Sequence, residues 1–245
     1  MSAESESQFG VGAPPLSVVI PVRDEARGLP ALLADLATAP ELVAEVVVVD
    51  GGSEDASRAV AWLGGARLLS TAPGRGGQLG HGIAASGAPW LLLLHGDARL
   101  PLGWARAVTR AIARGEGRAW AFHLAIEGPD PALRLVEFGV TLRSRWRSLP
   151  YGDQGLLLSR ALHDRAGGLA PLPLMEDLEF VQRLRRLAPI DLLPGAVRVS
   201  DRRWRRLGVL GTALANARLR RAWRQGTPPE QLAQRYYAGS ELRRL

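Results

Sequence analysis

The sequence predicts an α/β fold in which helices cover both faces of a mostly parallel sheet. Residues 16–22, 44–50 and 89–95 are continuously apolar instead of alternating, which is typical of strands buried on both faces. Segments with helical spacing of apolar residues separate these strands, and a short strand is expected at residues 66–70. Such an alternation favours a parallel sheet with a helix in each crossover.

The first half of the chain also supplies the signals that begin and end these elements. Residues 29–36 carry four leucines at helical spacing, and Ser53 is expected to cap the second helix. A Gly-rich segment, residues 74–82, leads into a third helix. The strand at residues 16–22 is expected to be stopped by Pro21 together with the polar residues 23–25, and Pro101 is expected where the first turn of the helix after the fourth strand starts.

The second half of the chain continues the α/β pattern. Residues 119–126 alternate between large apolar side chains and others, as expected of a half-exposed or edge strand. Helices are expected at residues 132–147 and 176–188, with a short strand at residues 155–158 between them. After about residue 202 the composition changes to that of an Arg-rich helix.

The composition is that of a soluble globular protein, and the length suits one large domain or one domain plus a small appendage. The 245 residues are 47% hydrophobic and 22% charged, which is ordinary for this class. The absence of cysteine excludes disulfides and thiolate metal sites. All 31 basic residues are arginine, and the net charge of +7 favours polyanionic partners such as nucleic acid, anionic lipid or a phosphorylated small molecule.

The chain is expected to be cytoplasmic. It has no run of the ~18–20 apolar residues that span a bilayer, and residues 1–7 are unlike a signal peptide. The Arg-rich segment 202–224 has two interpretations. It is a solvated helix packed on the domain, or a basic amphipathic helix in peripheral contact with the anionic inner face of the membrane. Nucleic acid is not an expected partner, because no recognised nucleic-acid motif accompanies the charge.

Acidic residues follow two of the buried strands. Asp50 ends a run of four valines and precedes Gly51, and Asp97 follows the fourth strand. Further along the chain, Glu176 and Asp177 begin an amphipathic stretch. Because ligands of open α/β sheets bind outside the carboxyl ends of the strands, these acids predict a site for a nucleotide, a metal and a general base.

A purely structural role is the alternative for some of these acids. Asp50 and the pair Glu176–Asp177 are also the acids that a helix N-terminus favours through its dipole.

One glycine-containing motif resembles a different kind of nucleotide site. Residues 80–85 match the GxGxxA pattern of dinucleotide-binding proteins, but a polar loop separates them from the preceding strand. They also do not follow the first strand of the sheet, so binding of NAD is not expected.

A set of short motifs follows one another along the chain at residues 19–25, 48–55, 74–76, 95–97, 151–155, 167–168, 175–177 and 202–204. The order of these motifs resembles family 2 of the inverting glycosyltransferases, which have the nucleotide-diphospho-sugar transferase (GT-A) fold. The resemblance covers roughly residues 16–205. Its tail, residues 151–155 and 202–204, is similar to a small bacterial subgroup associated with arsenosugar biosynthesis and radical-SAM gene neighbourhoods.

The resemblance implies a role for each matching residue. The nucleotide-sugar donor would be bound by Pro21, Glu25, Asp50, Gly51, Arg75 and Asp97. The catalytic residues would be Asp177, as general base, and Glu176. The unidentified acceptor would be bound by Asp153, Gln154, Arg203 and Trp204.

The resemblance also implies a divalent cation, Mg²⁺ or Mn²⁺, held by Asp97 and bridging the donor diphosphate. The family motif is often Asp-x-Asp, and His95 stands at its first position here. This histidine is a metal ligand, a ribose contact or a core residue, and the sequence leaves the three open.

The expected activity is transfer of a sugar, with inversion, from a nucleoside-diphosphate sugar to an acceptor hydroxyl. The expected organisation is a disordered tail at residues 1–14, a catalytic domain at 15–205 and a helical extension at 206–245. A nucleotidyltransferase on a related fold is the first alternative, but residues 21–25 take the place of its Gly-rich loop. A non-catalytic protein that binds membrane or nucleic acid is the second, and it leaves the strand-end acids unexplained.

Overall fold

Seven strands form one sheet in the computed structural model, which describes residues 14–241 except the side chains of residues 203, 206 and 237–241. The strands are β1 (Leu16–Val22), β2 (Val43–Asp50), β3 (Arg67–Ser70), β4 (Trp90–Leu93), β5 (Ala119–Ile126), β6 (Leu156–Ser159) and β7 (Ile190–Val199). The helices are α1 (Leu29–Ala37), α2 (Ser57–Leu63), α3 (Arg75–Ala85), α4 (Trp104–Ile112), α5 (Ala132–Arg147), α6 (Arg160–Arg165), α7 (Glu176–Leu187), α8 (Arg202–Arg224) and α9 (Pro229–Glu241). Apart from Pro14, the predicted tail at residues 1–14 lies outside the described residues.

The sheet has the order β3-β2-β1-β4-β6-β5-β7. Strands β1 to β4 are parallel to one another, β6 is antiparallel to both of its neighbours, and β7 is parallel to β5. The predicted α/β fold with a mostly parallel sheet is therefore confirmed. Because β1 lies between β2 and β4, the carboxyl ends of these three strands meet at one edge.

Helices cover both faces of the sheet, as predicted. Successive residues of β1 point to opposite faces, so Val18 belongs to one buried cluster and Val19 to the other. The first cluster includes apolar residues of α1, α4 and α5, and the second includes those of α3 and α7. These two layers hold α3 and α7 beside the strand ends that carry the candidate acids.

The prediction that residues 119–126 form an edge or half-exposed strand is wrong. They form β5, which lies between β6 and β7, and the first four of its residues are buried. The edge strand on this side of the sheet is β7, which the sequence did not predict because Pro194 and Gly195 interrupt its apolar pattern. Because β7 pairs with β5, strand β5 is an inner strand. Its alternation of large and small side chains reflects the two faces of the sheet, both of which are packed.

Of two predicted boundaries near prolines, the first is confirmed and the second is wrong. Strand β1 runs through Pro21 and ends at Val22, as predicted. Proline is tolerated there because β1 pairs with β4 only as far as Val19, so no β4 partner is lost at Pro21. Pro101 precedes α4 instead of lying in its first turn, because the helix begins at Trp104.

The apolar side chains of the C-terminal helices lie in three different environments. Trp204 packs against the first buried cluster, and Trp223 packs with Leu232 of α9 and Leu174, just before α7. The apolar side chains that remain exposed on α8 are Leu207, Leu210 and Leu214. Helix α8 runs across the predicted domain boundary after residue 205 and is irregular at Gly208.

In the part of the chain that the structure describes, no helix is both long enough and apolar enough to cross a membrane.

Candidate active site

Asp50 lies at the carboxyl end of β2, where its carboxylate organises the turn that follows. Its side chain is buried and accepts hydrogen bonds from the backbone N–H groups of Gly52, at 3.2 Å, and Ser53, at 3.1 Å. A carboxylate carries about four lone-pair sites, so these contacts leave acceptor capacity for a ligand. The backbone beside it is open at Gly52, because nothing lies within 4 Å of the position a Cβ would take there.

Gln78 of α3, which the sequence did not predict as a site residue, links the carboxyl ends of β1 and β2 by hydrogen bonds. Its buried amide donates to the carbonyls of Val22, at 2.9 Å, and Val49, at 2.7 Å. A Cβ at Gly51 would lie 2.9 Å from the Gln78 Cδ atom. Gly51, which the resemblance implicates in donor binding, therefore also makes room for Gln78. The available signal was a single amide among the buried, mostly apolar residues of α3.

We expect Gln78→Leu to lower the free energy of unfolding by about 1–3 kcal/mol, because it buries an apolar side chain where the amide had donated to the carbonyls of Val22 and Val49. Urea unfolding followed by circular dichroism measures the change. Gln231→Leu is the matched control, since Gln231 is exposed on α9. Equal stability of the two variants would contradict the role given to Gln78.

Glu25, Asp97 and Arg202 meet where the loops after β1 and β4 approach the start of α8. The Arg202 Nη2 atom lies 2.6 Å from Glu25 Oε2 and 3.5 Å from Asp97 Oδ2. The approach of the two loops depends on Gly96, where a Cβ would lie 3.1 Å from the Glu25 Cγ atom. Arg202 was not among the predicted site residues. Its neighbour Arg203 was, and the Arg203 side chain lies outside the described residues.

Burial and charge act in opposite directions on this group. Burial raises the pKa of Glu25 and the Asp97 charge raises it further, whereas the hydrogen bond from Arg202 lowers it. Partial burial lowers the pKa of Arg202, but the hydrogen bond and charge of Glu25, together with Asp97, outweigh it and raise the pKa overall. The arginine thus neutralises part of a concentrated negative charge.

Arg75 and Glu176 connect the first residues of α3 and α7. The Arg75 Nε atom lies 3.5 Å from Glu176 Oε1, and the Glu176 side chain is buried. Close packing of the two segments depends on Gly76, where a Cβ would lie only 2.5 Å from the Ala170 carbonyl oxygen. Arg75 belongs to the Gly-rich segment 74–82, which was expected to precede a helix. Instead it lies in the first turn of a helix, against a buried acid.

Asp177 lies beside His95 across the loop at residues 150–152. Its Oδ2 atom accepts the N–H of Gly152 at 2.8 Å, and its Oδ1 atom accepts the N–H of Leu178 at 2.7 Å. A Cβ at Gly152 would lie 3.0 Å from His95 Nε2 and 3.3 Å from Asp177 Oδ2. His95 and Asp177 therefore face the same loop. The mostly apolar cavity around them is also lined by Tyr151, Glu176, Phe180 and Val181.

The predicted acceptor-binding residues have different surroundings. Gln154 is fully buried and accepts from Arg143 Nη2, Ser144 Oγ and the Tyr151 N–H while donating to the Phe122 carbonyl. It therefore holds the loop at residues 150–154 in place from below. Asp153 is half-buried in the same loop, and Trp204 packs on the first buried cluster.

The candidate residues thus form two neighbouring groups. One contains Glu25 and Asp97 near the strand ends, and the other contains Glu176 and Asp177 at the start of α7. The loop after β4 joins the groups, because Asp97 belongs to the first and His95 contributes to the second. The structure does not bring Trp204 or Gln154 into either group.

The side chains at this site could bind a divalent cation only if a bound phosphate compound and water supplied the other coordinating oxygens. Among the described residues, no group of three or more His, Asp and Glu side chains could hold a metal. Mg²⁺ and similar cations use one or two carboxylates, with phosphate oxygens and waters completing the coordination. The half-buried Asp97 could supply one such carboxylate. Its carboxylate already contacts one positively charged group, the Arg202 guanidinium.

Comparison with known sequences identifies one family. Residues 17–172 match the sequence profile described as glycosyl transferase family 2. A TPR repeat-containing protein of Synechococcus elongatus is 37% identical over 96 residues, which make up 38% of this chain. The chain spans 23% of the length of that relative.

Comparison with solved structures identifies the same fold. Glucosyl-3-phosphoglycerate synthase from Mycobacterium tuberculosis, solved with Mn²⁺, uridine diphosphate and glucosyl-3-phosphoglycerate, superimposes with a TM-score of 0.60 at 22% identity. The match covers 82% of this chain and 78% of that one. The S. aureus protein TarS gives a TM-score of 0.60 at 16% identity, over 76% of this chain and 36% of its own. These likenesses confirm the predicted GT-A fold.

Proposed function

Because the chain belongs to glycosyl transferase family 2, we propose that it transfers a sugar from a nucleoside-diphosphate sugar to an acceptor hydroxyl with inversion at the anomeric carbon. The observation that carries the proposal is that two clusters of acidic residues lie on either side of the loop after β4. Glu25 and Asp97 lie at the strand ends, and Asp177 lies in the adjacent cavity. Such a pair suits a reaction that holds a charged donor and deprotonates an acceptor beside it.

The donor end of the site would hold the nucleotide and its diphosphate. Asp50 would accept hydrogen bonds from the base or ribose, with Glu25 and the backbone at Pro21 and Gly51 nearby. Arg75 would place a guanidinium against the diphosphate, which arginine binds through two parallel hydrogen bonds. Its contact with the buried Glu176 supports this role, because the acid limits the orientations of the guanidinium.

Asp97 would hold a Mg²⁺ or Mn²⁺ ion, with His95 as an additional ligand or ribose contact. When bound, the ion would neutralise charge that develops on the departing diphosphate. The chain's own contribution is to position Asp97. A Cβ at Gly28 would lie 2.9 Å from the Asp97 Cα atom, so the loop after β1 packs closely against this residue.

Asp177 would act as the general base. In a single displacement the acceptor oxygen bonds to the anomeric carbon as the bond to the diphosphate breaks, and the acceptor proton moves to Asp177. Each Asp177 oxygen accepts one backbone N–H, so a second lone pair on each stays available for the acceptor hydroxyl. Removing a general base typically costs about 10²–10⁴-fold in rate.

The experiment that tests the function is a thermal-shift panel of nucleotide sugars with and without Mn²⁺, followed by a transfer assay with each sugar that binds. We expect at least one nucleoside-diphosphate sugar to raise the melting temperature and to be turned over, with more stabilisation when Mn²⁺ is present. Stabilisation by DNA or liposomes, with none by any nucleotide sugar, would contradict the proposal.

Asp97→Asn is expected to weaken metal-dependent donor binding far more than metal-free binding of the nucleotide. The amide keeps the size of the side chain but removes the negative charge that a divalent cation requires. Calorimetric titrations with Mn²⁺ and with EDTA measure both affinities. Asp130→Asn, on the exposed loop before α5, is the matched control. Equal wild-type activity in EDTA and in Mn²⁺ would show that the reaction needs no metal.

The remaining predictions follow from the same assignment. Residues 15–205 would carry the catalytic machinery, with the acceptor bound near Asp153, Arg203 and Trp204. Membership of the arsenosugar-associated subgroup and a cytoplasmic location remain part of the proposal. Peripheral membrane contact through α8 is supported by the exposure of Leu207, Leu210 and Leu214. Donor base, sugar and acceptor would be identified by the panel.

A further inference from the structure

A further cavity, which is basic, lies where the C-terminal ends of three helices approach one another. It has a volume of about 410 Å³ and is lined by Arg147 of α5, Gln182, Arg185 and Arg186 of α7, Arg224 of α8 and the half-buried Leu149. Four of these six residues are arginines and none is acidic. We propose that this cavity binds a phosphate-type dianion, either free or as the headgroup of a lipid.

Carboxylates of the described residues do not neutralise the charges of the cavity. Among the described residues, none of its four guanidinium groups forms a salt bridge with a carboxylate, although Arg183 on the same helix pairs with Glu179. Four like charges around one space repel one another, and a bound anion would relieve that repulsion. Guanidinium groups bind phosphate oxygens through paired hydrogen bonds, so the lining favours phosphate.

Helix dipoles explain the arginines singly but not as a group. Basic residues are favoured in the last turn of a helix, and this accounts for Arg147, Arg185, Arg186 and Arg224 one at a time. It gives no reason for three helix ends to enclose a common cavity. The wall is also held in place, because Arg185 Nη1 donates to the Arg147 carbonyl at 2.8 Å.

The cavity is distinct from the candidate active site. Asp177 and Arg185 lie eight residues apart on α7, which corresponds to about 12 Å along a helix axis. No residue lines both cavities. The chain between them is short, since Leu149 lines the basic cavity and Pro150 to Gly152 line the other.

Two sources of phosphate are compatible with this position. A free phosphate compound would enter directly. A lipid headgroup is the other source, because α5 and α8 also carry the exposed side chains of Phe138, Trp146, Leu210 and Leu214. The experiment therefore has one arm for each source.

The free-phosphate arm follows the melting temperature against inorganic phosphate at constant ionic strength, which gives a dissociation constant by linkage. We expect Arg186→Gln/Arg224→Gln to raise that constant at least about tenfold, because each lost charged contact costs a large part of the affinity. Arg106→Gln/Arg110→Gln on α4 is the charge-matched control, since both residues are exposed and outside the cavity. Arg75→Gln reports phosphate binding at the donor site, and the Arg106→Gln/Arg110→Gln control should stay within about twofold of wild type.

The lipid arm measures cosedimentation with phosphatidylcholine vesicles, with and without phosphatidate. Loss of phosphatidate-dependent binding in Arg186→Gln/Arg224→Gln, but not in its control, would assign the site to lipid. Loss in the phosphate titration alone would assign it to a free compound.

Three results would overturn the proposal. One is equal weakening by the two double variants, which would reflect net charge alone. Another is weakening confined to Arg75→Gln, which would place the anion at the donor site. The third is the absence of both phosphate and vesicle binding in the wild-type protein. None of these results bears on whether the enzyme turns over a nucleotide sugar, so the two proposals fail separately.

Discussion

Asp177→Asn is expected to lose at least nine-tenths of wild-type turnover, and up to about 10⁴-fold, while donor affinity stays nearly unchanged. A general base is needed only as the acceptor proton leaves, so its removal should lower kcat without weakening the ground-state complex. The amide keeps the size of the side chain but cannot take the proton. Single-turnover kinetics, together with calorimetry of donor binding, measure the two quantities separately.

Controls for Asp177→Asn must account for the hydrogen bonds that the side chain makes. Asp177 accepts from Gly152 and Leu178, and asparagine has one acceptor oxygen in place of two. Melting temperatures will show whether the loop at residues 150–152 is disturbed. Asp191→Asn, on β7, tests the same chemical change away from the site. If a folded Asp177→Asn retained more than about a tenth of wild-type turnover, Glu176 would become the candidate base.

Asp50→Ala is expected to abolish measurable binding of the donor nucleotide in a protein that remains folded. The carboxylate is the buried acid at the end of β2, and its loss removes both the charge and the acceptor oxygens offered to the base or ribose. The same change leaves the N–H groups of Gly52 and Ser53 without their acceptor, at a cost of about 1–3 kcal/mol in stability. Calorimetric titration and urea unfolding measure the two effects.

Asp50→Asn separates the two roles of this side chain. The amide oxygen still accepts from the turn, so stability should recover towards wild type, whereas the affinity for nucleotide should stay reduced because the charge is absent. A folded Asp50→Ala variant with wild-type nucleotide affinity would contradict the assignment. Recovery of both quantities in Asp50→Asn would show that the turn, and not the charge, matters for binding.

Strands and the acids at their ends could be predicted because their signals are local. A continuous apolar run such as Val46 to Val49, followed by Asp50 and glycine, predicts a buried strand and its carboxyl end within a few residues. The parallel arrangement of such strands then predicts that Asp50 and Asp97 lie at one edge of the sheet. The order of motifs added the family, which the comparison confirms.

Contacts between segments far apart in the chain could not be predicted from the sequence, because the spacing of apolar residues does not specify which side chains will meet. Arg202 is 177 residues from Glu25, and Gln78 reaches carbonyls 56 and 29 residues away. Arg202 stands beside Arg203 in an Arg-rich segment, and the orientation in which α8 docks decides which of them meets the acids. Likewise β7 carries proline and glycine, and it becomes a strand only because β5 offers it a pairing edge.

The sequence by itself determined the fold class, the family and the acids at the strand ends, since each depends on residues close together in the chain or on motif order. Only the tertiary structure decided which groups contact the candidate acids, both at the strand ends and on α7. Asp97 contacts Arg202, Glu176 contacts Arg75, and Asp177 accepts a hydrogen bond from Gly152. The physical reason is that charge neutralisation and hydrogen bonding depend on distances of a few ångströms. Such distances are set when separate helices and loops pack against one sheet.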